Sequence, residues 1–194
     1  MGRTLIYIKN NAMKIVTKTS TETNIANALG ILLGDYVLAN KWAIEILINW
    51  LRTKPAAALE QEISSSFPSI RETLVHIWDT ERFWLSVIKQ VPAPPSFRQT
   101  GFNGTLEEVL DGIVETSRQF AEYVTDLTDE ELCETVTFYT PWVEGSKKRY
   151  EFIQHCMNHS TYHRGQVITI GHHVGFHDAP MTDFSFYLLR IKAA

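Results

Sequence analysis

Only two of the 194 residues are cysteine, Cys133 and Cys156. They form no CxxC pair, so the chain carries neither a disulfide framework nor a thiolate zinc site, and the expected setting is a reducing cytoplasm. Basic charge is also scarce, with 18 Lys+Arg against 22 Asp+Glu and a formal net charge of −4. That leaves no basic excess to neutralise a phosphate backbone, and no nucleic-acid partner is expected. Long apolar runs are missing too. A bilayer span needs ~20 apolar residues, and the candidate stretch within 24–51 is broken by Asp35, Lys41, Glu45 and Asn49, so no membrane partner is expected. A Gly-rich phosphate loop, a Gly-x-Ser-x-Gly elbow and a His-Glu-x-x-His helix are likewise absent, which excludes the chemistries those motifs serve.

The N-terminal apolar run at 5–8 is too short for a secretory segment, and Ile6 stands where myristoylation requires Ser or Thr. Residues 1–20 are therefore expected to form a loosely ordered extension, with Met13 as an alternative start, leaving 21–194 as one domain. At 44% hydrophobic and 11% aromatic residues, a chain of this size can bury roughly 70% of its unfolded surface without disulfide staples.

Apolar residues recur at helical spacing in four stretches. The first covers 24–51, with Ala28, Ile31, Leu32, Val37, Leu38, Trp42, Ile46, Leu47 and Trp50, and ends before Pro55. The second runs over 70–90, opened by Ser69 with Glu72 as a capping box and stopped by the prolines at 92–95. The third starts at a second box, Thr105 with Glu108, and ends near Leu127. The β-branched and aromatic run at 135–140 predicts a short β-hairpin, and a fourth helix extends from Glu151 to about His172. A short terminal segment occupies 183–191. The expected fold is all-α, a four-helix bundle with a small β-hairpin before the last long helix. Trp42, Trp50, Trp78 and Trp84 are read as core.

Five of the seven histidines lie in or beside the fourth helix. His155, His159 and His163 are four apart, and each such step turns only about 40° around the axis, so the three share one stripe. Any adjacent pair could place two imidazoles on one divalent ion, and spacing does not choose between 155/159 and 159/163. A third ligand could come from His76, which stands among Leu74, Val75, Ile77 and Trp78 on the second helix. A polar ring in that company needs a partner: a backbone carbonyl, a carboxylate such as Asp79 or Glu81, or a metal. His172, His173 and His177 read as capping or surface residues, and Cys156 as a buried inert thiol.

The run Asn158-His159-Ser-Thr-Tyr-His163-Arg164-Gly165-Gln166 closely resembles the signature helix of the DinB/YfiT-like superfamily, whose members carry Asn-His-x-x-x-His-Arg-Gly-Gln. The second helix around His76, the Asn40-Lys-Trp42 stretch and Thr182-Asp183-Phe184 are similar to family features as well, so the resemblance covers about 24–190. It implies an up-down-down-up bundle, often a homodimer, with a divalent metal, typically zinc or nickel, held by His76, His159 and His163. His155 is then left outside the ligand set. Some members of the wider superfamily are thiol-dependent transferases or isomerases, so the resemblance also implies a low-molecular-weight thiol or another small molecule as partner. Two functions follow as expectations. One is a metal-dependent enzyme of thiol-transferase or hydrolase type, with a carboxylate such as Glu81 as general base in the hydrolase. The other is a non-catalytic, stress-related metal-binding protein whose ion pins two helices together.

Overall fold

The computed structural model describes residues 28–140 and 143–193. The extension expected over 1–20, the alternative start at Met13 and the first helical turn expected from Asn24 lie outside the described residues. Four long helices carry the fold: α1 (Ala28–Leu51), α2 (Ile70–Lys89), α3 (Leu106–Thr125) and α4 (Arg149–His173). Strands β1 (Thr135–Tyr139) and β2 (Glu144–Lys148) pair antiparallel between α3 and α4, with Thr137 opposite Ser146.

Local chemistry sets the helix ends. Ser69 accepts the Glu72 N–H at the start of α2, but the reciprocal half of the expected box is missing because the Glu72 carboxylate pairs with Arg71 instead. Thr105 and Glu108 close a full box at the start of α3. Helix α2 stops at Gln90, which adopts a left-handed conformation with φ 53° and returns its N–H to the carbonyls of the last turn.

The direction of each helix follows from its cross-contacts. Arg52 at the end of α1 reaches Glu107 and Asp111 at the start of α3, so α1 and α3 are antiparallel. Arg71 of α2 meets Gly104 just before α3, and Ile88 of α2 meets Tyr123 of α3, so α2 and α3 are parallel. Asn40 meets Arg164, and Trp50 packs near Gly171, so α1 and α4 are parallel. His76 meets His163 while Trp84 meets Phe152, so α2 and α4 are antiparallel. The result is the expected up-down-down-up bundle.

Two apolar clusters fill the interior. One gathers Leu33, Val37, Leu85, Phe120 and Phe152; the other gathers Ile44, Leu47, Leu74, Ile77, Ile113 and Val167. Between them every helix turns polar at the same level, with buried Asn40 on α1, Glu81 on α2, Thr116 and Ser117 on α3, and Ser160 and Arg164 on α4. Asn40 donates to the Glu81 and Ser117 side chains, and Arg164 donates to the oxygens of Asn40 and Ser160. Such a layer is tolerated inside a bundle because its members bond one another.

Some sequence expectations need correction. Trp50, Trp78 and Trp84 are half-buried at the edges of the clusters rather than inside them, and Trp42 is half-buried beside Phe186 and Tyr187. Ile31, Leu32 and Leu38, read as part of the buried stripe of α1, are exposed. The apolar surface of α1 is wider than the face its neighbours cover. The terminal segment forms a helical turn at Phe184–Phe186 that continues into a wider turn at Tyr187–Ile191, whose aromatic rings pack on Tyr36 and Trp42.

Candidate metal centre

The antiparallel seam of α2 and α4 brings His76, His159 and His163 together. Their Nε2 atoms form a near-equilateral triangle, with 3.2 Å between His76 and His159 and 3.1 Å on each of the other two edges. Phe67, in the loop leading into α2, stacks on the His76 ring at 4.3 Å and meets His163 edge-on. That packing limits how far either ring can rotate.

The tautomer of His163 is set from outside the triangle. Gln166 Oε1 lies 2.6 Å from His163 Nδ1, and the Gln166 amide nitrogen donates to Ser66 and Tyr162, so the oxygen faces the ring. The Nδ1–H donates to Gln166, and a bare lone pair is left on Nε2. Three mutual contacts at this distance cannot all be hydrogen bonds when one nitrogen has no proton to give. A single cation at the centre would satisfy all three lone pairs. Three imidazole nitrogens about 2 Å from one ion in tetrahedral directions stand roughly 3.3 Å apart, close to the distances seen here.

The electrostatics agree with neutral ligands. Desolvation, with the neighbouring His163 adding to it, lowers His76 to about 4. Desolvation and the surrounding histidines lower His159 to about 4, and burial also lowers His163. Burial thus favours the neutral imidazole at all three positions, the form that binds a metal.

His155 stands apart from the triangle. It is exposed and packs against Trp84, with ring centroids 4.8 Å apart. Neither carboxylate considered as a partner for His76 reaches it. Both Asp79 oxygens accept the Phe97 N–H, at 3.1 and 3.2 Å, and the carboxylate pairs with Arg82. Glu81 is 1% exposed and faces the polar layer, where burial pushes its carboxyl up to about 7. A buried carboxyl turned toward Asn40 cannot serve as general base in an open site, so that expectation is corrected. Cys156 is buried as expected, and desolvation raises its thiol well above the ordinary range. His172, His173 and His177 are on the surface.

A cavity of about 850 Å³ opens beside His76, walled by Thr80, Phe83, Pro94, Pro95 and Arg98 among others. Its size is that of a small-molecule site. Sequence reasoning missed two residues of this region. Phe67 stands just before the Ser69 cap, outside every element the sequence predicts, and Gln166 enters only as part of a motif, although its place three residues after His163 puts it within reach of that ring.

The sequence pattern of the DinB family matches residues 22–190. The chain belongs to the DinB family. Among curated relatives, Protein DinB of Bacillus subtilis (strain 168) is 27% identical over 160 residues, which cover 79% of this chain and 91% of that protein. Among solved structures, YfiT from Bacillus subtilis superposes with a TM-score of 0.55 at 13% identity, over 84% of this chain and 94% of that one. YfiT is described as "a probable metal-dependent hydrolase with an unusual four-helix bundle topology". At that identity the likeness shows the four-helix fold. No helix among the described residues is long and apolar enough to cross a membrane.

Proposed function

We propose that this DinB family member is a divalent-metal-dependent enzyme in which His76, His159 and His163 hold the ion. The observation that carries the reading is the triangle of Nε2 atoms, 3.1–3.2 Å on each edge, with the His163 lone pair turned inward by Gln166. Zinc and nickel both suit three neutral imidazoles. An ion there supplies Lewis acidity and lowers the pKa of a water or thiol that reaches it.

The chain's own residues would do the rest. Phe67 fixes the rings, Gln166 holds the proton on His163 Nδ1, and the cavity beside His76 admits a small molecule. That cavity favours catalysis over a purely structural ion, which would need no approach for a ligand. The description of YfiT supports hydrolysis, in which water gives OH to an electrophilic carbon and a proton to the leaving group. The thiol-transfer alternative, in which sulfur replaces the leaving group and the thiol proton is released, uses the same site. A homodimer acting in the cytoplasm on a small molecule belongs to the same proposal.

The test is metal content by mass spectrometry of protein purified without a His tag, after loading with Zn²⁺ or Ni²⁺, for wild type, His76→Ala and His163→Ala. About one equivalent in wild type and none in either variant is expected for a three-imidazole site. A full equivalent retained by His163→Ala would overturn the assignment. Turnover of activated esters, and of electrophiles with added thiols, by loaded and chelated protein then separates the two chemistries.

A further inference from the structure

Among the described residues lining the cavity beside His76, Asp79 is the one carboxylate, and its charge is offset by Arg82 at 3.3 Å and by the Phe97 N–H. Arg98 places a positive charge at the cavity wall, and among the described residues it has no ion-pair or hydrogen-bond partner.

Arg98 is carried by an anchored turn. Phe97–Thr100 forms one helical turn closed by a Ser96/Gln99 capping box and ended by Gly101 in a left-handed conformation, φ 64°. Asp79 holds the turn by the Phe97 N–H, the Arg82 guanidinium lies 4.2 Å from the centre of the Phe97 ring, and Trp78 and Phe102 pack on that ring at 4.5 and 4.4 Å. The backbone beneath Arg98 is therefore fixed by four neighbours while its guanidinium remains free. A fixed base with an unpaired fork of donors is suited to a carboxylate or phosphate. The same cavity is lined by the apolar or aromatic side chains of Phe83, Pro94, Pro95 and Tyr139. Thr80, one turn along α2 from His76, offers a hydroxyl with no hydrogen-bond partner among the described residues.

We propose that the substrate of this site is a small molecule with a metal-ligating reactive end, an apolar middle and an anionic far end, and that Arg98 selects it by binding that anion. This rests on the metal-dependent reading above. Carboxylate and phosphoryl ends share the chemistry, and the test distinguishes them.

The probes are alkyl hydroxamates of increasing length that end in a carboxylate, a phosphonate or a methyl group. Their binding to Zn²⁺-loaded protein is measured by calorimetry after the metal content has been verified. At the best length an anionic end should bind about tenfold more tightly than the methyl end. Arg98→Ala should remove that preference while leaving methyl-ended probes unchanged, Arg98→Lys should keep part of it, and added salt should weaken it. Whichever anion binds tighter in wild type identifies the natural end group. Equal binding of all three series at every length, or a preference that survives Arg98→Ala, would overturn the inference and leave the metal site standing. Failure of wild type to load metal, or of loaded protein to bind any hydroxamate, would overturn both the enzyme reading and this one.

Discussion

Replacing Gln166 tests the centre without touching a ligand. Its Oε1 accepts the His163 Nδ1–H at 2.6 Å, and its own amide is held by Ser66 and Tyr162. Two effects follow from its loss. The ring gains torsional freedom about an axis that Phe67 constrains only edge-on, and the proton is no longer confined to Nδ1, so a fraction of the population presents an N–H toward His76 and His159. Partners of this kind are worth about 10–100-fold in metal affinity, or about 1.4–2.7 kcal/mol. Gln166→Ala should therefore weaken Zn²⁺ binding by that factor. Gln166→Glu, which keeps an acceptor at the ring and makes the bond charge-assisted, should bind at least as tightly as wild type. Competition against a chromophoric chelator measures both affinities, and thermal melts of the metal-free proteins show whether the fold has changed. If Gln166→Ala binds as tightly as wild type, or if the two variants weaken binding equally, the outer bond is not orienting His163 and the reasoning fails.

Other consequences can be read from packing and burial. At Gly112 an added Cβ would meet the Trp78 ring at 2.1 Å, and that ring is pinned by its N–H bond to Thr116 and by Phe97 and Phe102. Gly112→Ala should therefore destabilise by about 1–3 kcal/mol despite the gain in helix propensity, whereas Gly165→Ala, with nothing within 4 Å, should stabilise by about 0.5–1 kcal/mol; melts showing the same sign for both would refute the packing account. Glu81 titrates near 7 in the fold against an ordinary 4.5, mainly through desolvation that Asn40, Arg164 and Ser160 only partly offset. The unfolded chain releases this proton above pH 4.5 and the fold keeps it to about 7, so the carboxyl's contribution to stability falls as pH rises through that window, by about 3 kcal/mol in all. Glu81→Gln should gain on wild type by that order between pH 5 and pH 8 in urea melts; the histidines, whose lowered pKa values act in the opposite sense, are common to both proteins, and a pH-independent difference would refute the assignment.

The helices were legible because each carries its own period and punctuation. Thr105 with Glu108 opens α3 as the sequence predicts, and α2 ends within a residue of the expected place. The polar layer was not legible. Asn40 reads like any polar residue on a solvated face, and Glu81 reads as a carboxylate available to His76 or to the reaction, because which face is buried depends on partners that a single helix does not specify. The spacing of the α4 histidines leaves the choice among them open for a related reason, and only the family resemblance makes it. Moving two turns along α2 from His76 to Trp84 moves two turns back along α4 from His163 to His155, so His155 meets an indole while His159 and His163 meet an imidazole. Periodicity places all three on one stripe, and only the antiparallel register decides what each one faces.

The same topology accounts for the cavity. Because α2 and α3 run parallel, the connection 90–105 must travel back along a 20-residue helix, about 30 Å at 1.5 Å per residue. A tight turn cannot do this. The chain crosses the outside of α2 through its proline stretch, and Asp79, three residues after His76, catches it at Phe97. The returning segment is thus held at the level of the histidines, and it supplies Pro94, Pro95 and Arg98 to the wall beside them. An up-down-up-down bundle of the same helices would join α2 to α3 by a short loop at one end and leave the α2–α4 seam without this wall. The parallel pair therefore ties the candidate centre and its substrate-facing residues to one feature of the chain path. Asp79→Ala, which releases the turn at Phe97, should weaken binding of anion-ended hydroxamates about as much as Arg98→Ala while leaving metal content at one equivalent; loss of the metal instead would place Asp79 in support of the histidines rather than of the wall.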